Sequence, residues 1–158
     1  MHEQIRQKIY DLFANKGVRV EVSETVDLPN FCCLRIRYQP KRGMTLIVGK
    51  FTDEVLETLL IAHEFGHSIH YETLSRKDAE AAYCALFASN HRGIENISPE
   101  SKQLVISIEK KASDYAIALL RKLGSDETIL SRARETYNEW ISGYLKKARL
   151  SEETSLAS

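Results

Sequence analysis

Leu59-Leu60-Ile61-Ala62-His63-Glu64-Phe65-Gly66-His67-Ser68-Ile69-His70 is the stretch from which the rest of this chain can be read. Its apolar first half, free of proline and turn clusters, predicts a helix over roughly 53–71. On a helix, residues four apart lie about one turn apart on the same face. His63 and His67 therefore present two imidazoles to one point, where a ring nitrogen of each can hold a single zinc ion. Glu64 sits beside them and is placed to act on water rather than to ligate. Histidines set into an apolar helix for packing alone would need other polar partners.

Two histidines leave such a site incomplete, because a catalytic zinc usually has three protein ligands. Further along, Ser98 reads as an N-cap, Pro99 as the first helical residue and Gly124 as the stop, which predicts a helix over 99–123. Its apolar face is Val105, Ile108, Ala112, Ala116, Leu119 and Leu123. Glu109 falls about 40° from Val105 on a helical wheel, inside that face. A buried carboxylate without a partner is costly. A zinc ion removes the conflict; the alternative is a Glu hydrogen-bonded to backbone or paired to an arginine, such as Arg35 or Arg37 of the sheet. Asp114 points about 140° away from Glu109 and is expected in solvent. His70 shares a face with His67, but one helix would then supply all three ligands, so it is expected to line the pocket. Glu80, on the flank of its helix, and His91, in a polar loop, are expected at the surface.

Upstream, Ile5, Ile9, Leu12 and Phe13 recur at helical spacing, predicting a helix over 3–15 ended by Gly17. Three short β-rich runs follow. Val18, Val20 and Val22 alternate with Arg19 and Glu21; Leu34, Ile36 and Tyr38 alternate with Arg35 and Arg37; Met44–Val48 comes after a turn signal at Pro40–Gly43. They should form a small sheet with one wet face. Beyond the central motif, Ser75 and Asp78 look like a capping box opening a helix over 76–88. Residues 89–97 read as a loop, with Asn90, Arg92, Gly93 and Asn96 forming either a lid or solvated filler. A last helix runs from about 126 to 149. A small N-terminal sheet followed by a helical C-terminal half is an α+β arrangement. It makes one domain over residues 1–150, with a flexible tail over 151–158.

Composition agrees. The chain has 158 residues, 43% hydrophobic and 28% charged, as expected of a folded globular domain. Lys+Arg and Asp+Glu are both 22, so there is no basic excess with which to neutralise phosphates, and direct nucleic-acid binding is not expected. No apolar run approaches the ~20 residues that span a bilayer, and the first residues lack a signal-peptide pattern. The three cysteines are odd in number, and Cys32 and Cys33 are adjacent, which argues against a disulfide scaffold. A cytoplasmic, reduced protein is expected.

The stretch Ala62-His63-Glu64-Phe65-Gly66-His67-Ser68-Ile69-His70 resembles the active-site helix of the ImmA/IrrE-type metallopeptidases, in which an alanine precedes the motif, a glycine lies within it and a histidine follows three residues later. Glu109-Lys110-Lys111-Ala112-Ser113-Asp114-Tyr115-Ala116 is similar to that family's second segment, whose Glu is the third zinc ligand. The resemblance covers roughly residues 18–122. It implies a zincin fold of the gluzincin kind, His63, His67 and Glu109 on zinc, and Glu64 as general base in peptide-bond hydrolysis. Ser113 stands where the family has Asn or Asp, and could still support a ligating imidazole. The segment 68–108 is longer than usual for the family. Members are often bacterial or phage regulators, prophage proteins among them, that cut a helix-turn-helix repressor. The resemblance therefore implies a protein substrate of that kind.

Several assignments stay open at this level. The oxyanion of such a reaction needs a donor, and Tyr71, Tyr83 and Tyr115 are the candidates. The strand 44–48 is the natural edge for an extended substrate. A thiolate of Cys32 or Cys33 could occupy the fourth zinc position; both are otherwise small apolar residues near a strand. Trp140, Ile141, Tyr144 and Leu145 either dock the last helix on the core or form a dimer contact. The alternative to a peptidase is a zinc-stabilised regulatory or binding module with the same fold and little proteolysis. The intact Glu64 favours the enzyme.

Overall fold

The computed structural model of the chain describes residues 2–23, 29–37 and 43–157, with the side chains of 150–157 left aside. Helix α1 (His2–Asn15) leads into strands β1 (Arg19–Val22), β2 (Cys32–Arg37) and β3 (Gly43–Val48). Four more helices follow: α2 (Glu54–Thr73), α3 (Arg76–Arg92), α4 (Pro99–Lys122) and α5 (Glu127–Ala157), with a single 3₁₀ turn at Ile94–Asn96. The class is α+β, as the order of patterns predicts. Tyr38 and most of the turn read at Pro40–Gly43 lie outside the described residues.

The sheet corrects one expectation. Its order is β1-β3-β2, with β1 parallel and β2 antiparallel to β3. The strand 44–48 is therefore central, and its backbone groups are spent on both neighbours. Among the described residues, the edge nearest the motif helix belongs to β2.

Register explains which face is dry. Leu34 opposes Leu46 and Cys32 opposes Val48, so these side chains share a face. That face packs on Ile5, Ile9 and Phe13 of α1 and on Leu59, Ile61 and Phe65 of α2. Val18 joins this core, but Val20 and Val22 are 37% and 69% exposed although the alternation points them the same way. They sit on the outermost strand, beyond the reach of the helices that cover β3.

The helix ends follow the sequence signals. The Ser75 side chain accepts from the Asp78 amide, and Ser98 caps α4 with Pro99 in its first turn. Gly124 takes a φ of +88° just past α4, a conformation that costs glycine little. Two boundaries differ. The segment read as a loop over 89–97 continues α3 to Arg92 and then turns through the 3₁₀ piece, anchored by buried Ile94. α5 runs on to Ala157, through the stretch expected as a tail.

Candidate metal centre

The site is set by how α2 starts and by what it touches midway. Asp53 caps α2, its Oδ1 accepting from the amides of Val55 and Leu56 at 2.9 and 3.1 Å, while Arg132 of α5 donates to its other oxygen. One face of α2 lies directly against α4 at Gly66. A Cβ built there would sit 2.1 Å from the carbonyl oxygen of Ala112. Only glycine permits that approach, and it brings Glu109, nearly one turn before Ala112, abreast of the two histidines.

His63 Nε2 lies 2.9 Å from Glu109 Oε2, and His67 Nε2 lies 3.4 Å from Oε1. The three prospective ligand atoms fall within 4.8 Å of one another. This cluster can bind a metal ion. The arginine partners considered for Glu109 are not needed, since its carboxylate already faces two imidazoles.

Electrostatics fit that use. Burial disfavours the charged form of His67, but the Glu109 carboxylate outweighs it, with help from Glu64, and lifts the imidazole to about 9. Burial pushes the Glu109 carboxyl up, but His67 and then His63 outweigh that and hold it well below the usual carboxylate range. An anion facing two ring nitrogens that crowd together is the arrangement a divalent cation relieves, by taking the place of the protons.

Ser113 supplies support for one ligand. Its hydroxyl donates to the Glu109 carbonyl at 2.9 Å and lies 3.3 Å from His63 Nδ1. With its proton so placed, the oxygen is free to accept from Nδ1–H. That tautomer leaves the Nε2 lone pair for the metal.

Glu64 stands next to the cluster without belonging to it. Its Oε2 accepts the backbone N–H of Leu34 on β2 at 2.8 Å. Leu34 thus turns its amide away from β3 and toward the site, as alternate residues of an edge strand do. A cavity of about 540 Å³ opens beside Glu64 and His67, bounded by β2, the end of α2 and the inner side of α3. His70, Tyr71 and Tyr83 line it, while Tyr115 does not and instead lies with its ring centroid 6.4 Å from that of His70. Burial, and then the charges of Lys111 and His67, lower the pKa of His70 and keep it neutral. Asp114 is exposed. Glu80 is near Arg76 on the outside of α3, and His91 is in the last turn of that helix rather than in a loop.

Neither cysteine joins the cluster. Cys32 is in the core; Cys33 lines the cavity wall, where burial and then the charge of Glu64 push its thiol up to about 11. Burial pushes the Cys32 thiol up as well, so without a metal both side chains favour the thiol over the thiolate. α5, in contrast, contributes more than its sequence promised. The rings of Tyr137 and Trp140 lie 5.4 and 5.6 Å from that of His63, and the Tyr137 hydroxyl donates to the Leu59 carbonyl at 2.6 Å. Tyr144, on the same stripe, feels Glu109 and Glu64 and, mainly by burial, is pushed up to about 12. The aromatic spacing 137-140-144 carried this signal, but only the packing of α5 on α4, with Tyr137 and Trp140 reaching across to His63, assigns it to the back of the site.

Comparison with family models, with curated proteins and with solved structures finds no match for this chain. Among the described residues, no helix is long and apolar enough to cross a membrane.

Proposed function

We propose that the chain is a zinc-dependent peptidase that hydrolyses a peptide bond of a protein substrate. One observation carries the reading: a carboxylate, Glu64, lies beside a three-ligand cluster, outside it, and is oriented by a backbone amide toward an open cavity. A purely structural metal site has no use for such a group. His63, His67 and Glu109 form a nitrogen, nitrogen and oxygen donor set that suits zinc and leaves a fourth position. When bound there, zinc supplies a Lewis acid that polarises a carbonyl and makes water more acidic.

The residues of the chain do the rest. Glu64 accepts a proton at Oε from the water that attacks the scissile carbonyl carbon. As the C–N bond breaks, the same carboxyl returns that proton to the leaving nitrogen, giving a carboxylic acid and an amine, which become carboxylate and ammonium at neutral pH. Leu34 N–H holds the carboxylate in place between the two transfers. An extended substrate would add along the edge of β2 left unpaired by other strands among the described residues, beside the Leu34 N–H that Glu64 occupies, in place of the strand 44–48 expected from sequence. On the resemblance, that substrate is a repressor of the helix-turn-helix kind. The reading places the protein in a reducing compartment such as the cytoplasm, supported by three free cysteines.

The test is Glu64→Gln in zinc-loaded protein. It should fold and keep zinc, yet lose about 10²–10⁴-fold in cleavage of a verified substrate. Wild-type rates in that variant would replace the peptidase with a zinc-stabilised binding module.

A further inference from the structure

We propose that β1 is a self-pairing edge: two copies of the chain join through it, antiparallel across a two-fold axis at Val20, into one continuous sheet. This edge lies across β3 from β2, the strand whose Leu34 amide holds Glu64, so its pairing does not depend on the peptidase reading. Backbone direction comes first. The Ser23 amide donates to the Val48 carbonyl at 2.7 Å. In a parallel pair alternate residues turn their backbone groups to the neighbour, so Arg19 and Glu21 also face β3, while Val20 and Val22 point N–H and C=O outward. Among the described residues no strand lies beyond them. All of β1 is exposed, and Val22, at 69%, is the most exposed large apolar side chain among the described residues.

Charge then selects the partner and the register. Val18-Arg19-Val20-Glu21-Val22 alternates apolar, basic, apolar, acidic, apolar, and its reverse has the same pattern with the charges exchanged. With Val20 set opposite Val20 of a second copy, Arg19 of each strand faces Glu21 of the other, and Val22 faces Val18. The outward groups of the two Val20 residues exchange both hydrogen bonds, and each Val22 amide reaches a Val18 carbonyl. On the wet side, the Arg19–Glu21 pair, 3.2 Å apart within one strand, extends into an alternating row of charges. The other registers that use the outward groups fail. Centring on Glu21 sets Glu21 against Glu21, and centring on Arg19 sets Arg19 against Arg19. The latter also asks for the Val18 amide, which already donates to the Phe13 carbonyl at 3.0 Å. Centring on Val22 offers Glu21 only Ser23. A strand from another protein has no such match built in.

A strand of four residues buries less than the ~1,200 Å² of a stable interface, so the dimer should be weak, with Kd about 10–300 µM. Sedimentation of the full chain from about 5 µM to about 1 mM should show monomer passing to dimer. Arg19→Glu and Glu21→Arg each place like charges opposite one another on both sides of the axis, and each should weaken self-association at least about tenfold. An equimolar mixture of those two variants has opposite charges at every cross-strand pair and should dimerise at about the wild-type Kd or more tightly. Val20→Pro removes the outward donor at the axis without touching the bonds to β3, and should give a folded monomer. Zinc content should be the same in all of them. A monomer at every concentration, a dimer untouched by the charge reversals, or a mixture no better than its components overturns the pairing. So does a Val20→Pro protein that dimerises as the wild type does, since the contact would then lie off this backbone edge.

Discussion

Glu109 decides the site at the scale of single residues. A helical wheel places it on the dry side of its helix, and its carboxylate lies within hydrogen-bond reach of His63 and close to His67. Glu109→Ala should therefore abolish tight zinc binding, Asp114→Ala should leave it nearly unchanged, and His70→Ala should weaken it only slightly. Chelator competition on the three proteins ranks them; loss of zinc from His70→Ala with retention by Glu109→Ala would reverse the assignment. Ser113→Ala should lower zinc affinity by about tenfold while the fold survives, because it frees the His63 ring to choose the other tautomer. An unchanged affinity would show that Ser113 does not orient the ligand. The residues of the cluster were legible in sequence, His63 and His67 by their four-residue spacing and Glu109 by its place on the apolar face of its helix. The support from Leu34 N–H to Glu64 was not, since a backbone amide leaves no mark in residue identity.

At the scale of elements, the contact between α2 and α4 is the joint of the site. Gly66→Ala should destabilise the protein by about 3 kcal/mol or more, since the neighbour it meets is backbone and cannot swing aside. Urea unfolding with and without zinc measures this, and a change below 1 kcal/mol, as an order-of-magnitude threshold, would mean that the helices can separate. The N-terminus of α2 has its own test. Asp53→Ala should cost about 1 kcal/mol through the lost cap. The Asp53 carboxyl is held below its ordinary value of 3.8, first by the Arg132 hydrogen bond and then by backbone amides. A depressed folded-state pKa means that the contribution is complete above about 3.8 and is lost as pH falls through the folded value. The difference between wild type and Asp53→Ala should therefore shrink on acidification below pH 4. Capping residues announced α3 and α4 correctly, because a cap acts on its own chain within a few residues; the Asp53 cap of α2 was found only in the structure.

At the scale of the whole molecule, metal and fold should be coupled. In the metal-free protein, His67 has a folded-state pKa of about 9, raised above its ordinary 6.5. Its pairing with Glu109 then contributes fully below pH 6.5 and is lost as pH rises through about 9. Glu109 is shifted the opposite way, so its share is lost as pH falls below its ordinary 4.5. The Tm of the metal-free protein should fall between pH 7 and 10, and zinc-loaded protein should show a smaller fall over the same range. Thermal melts in buffers of equal ionic strength decide it; parallel curves would remove the coupling. α5 closes the structure behind His63, and Tyr137→Phe should cost about 1 kcal/mol through its buried bond to Leu59.

What the sequence alone determined was local: the helices and most of their ends, the α+β order, and the residues whose periodicity set two imidazoles and one carboxylate on dry faces. Each of these depends on contacts within a few turns of one element. Only the tertiary structure decided which strand is central and which edge faces the motif helix, where the cavity opens, that α5 lies against His63, and that Val20 and Val22 are left uncovered. Strand order and helix docking are chosen by pairing and packing between residues far apart in the chain. Alternation says that two faces differ, but not what will lie against either of them.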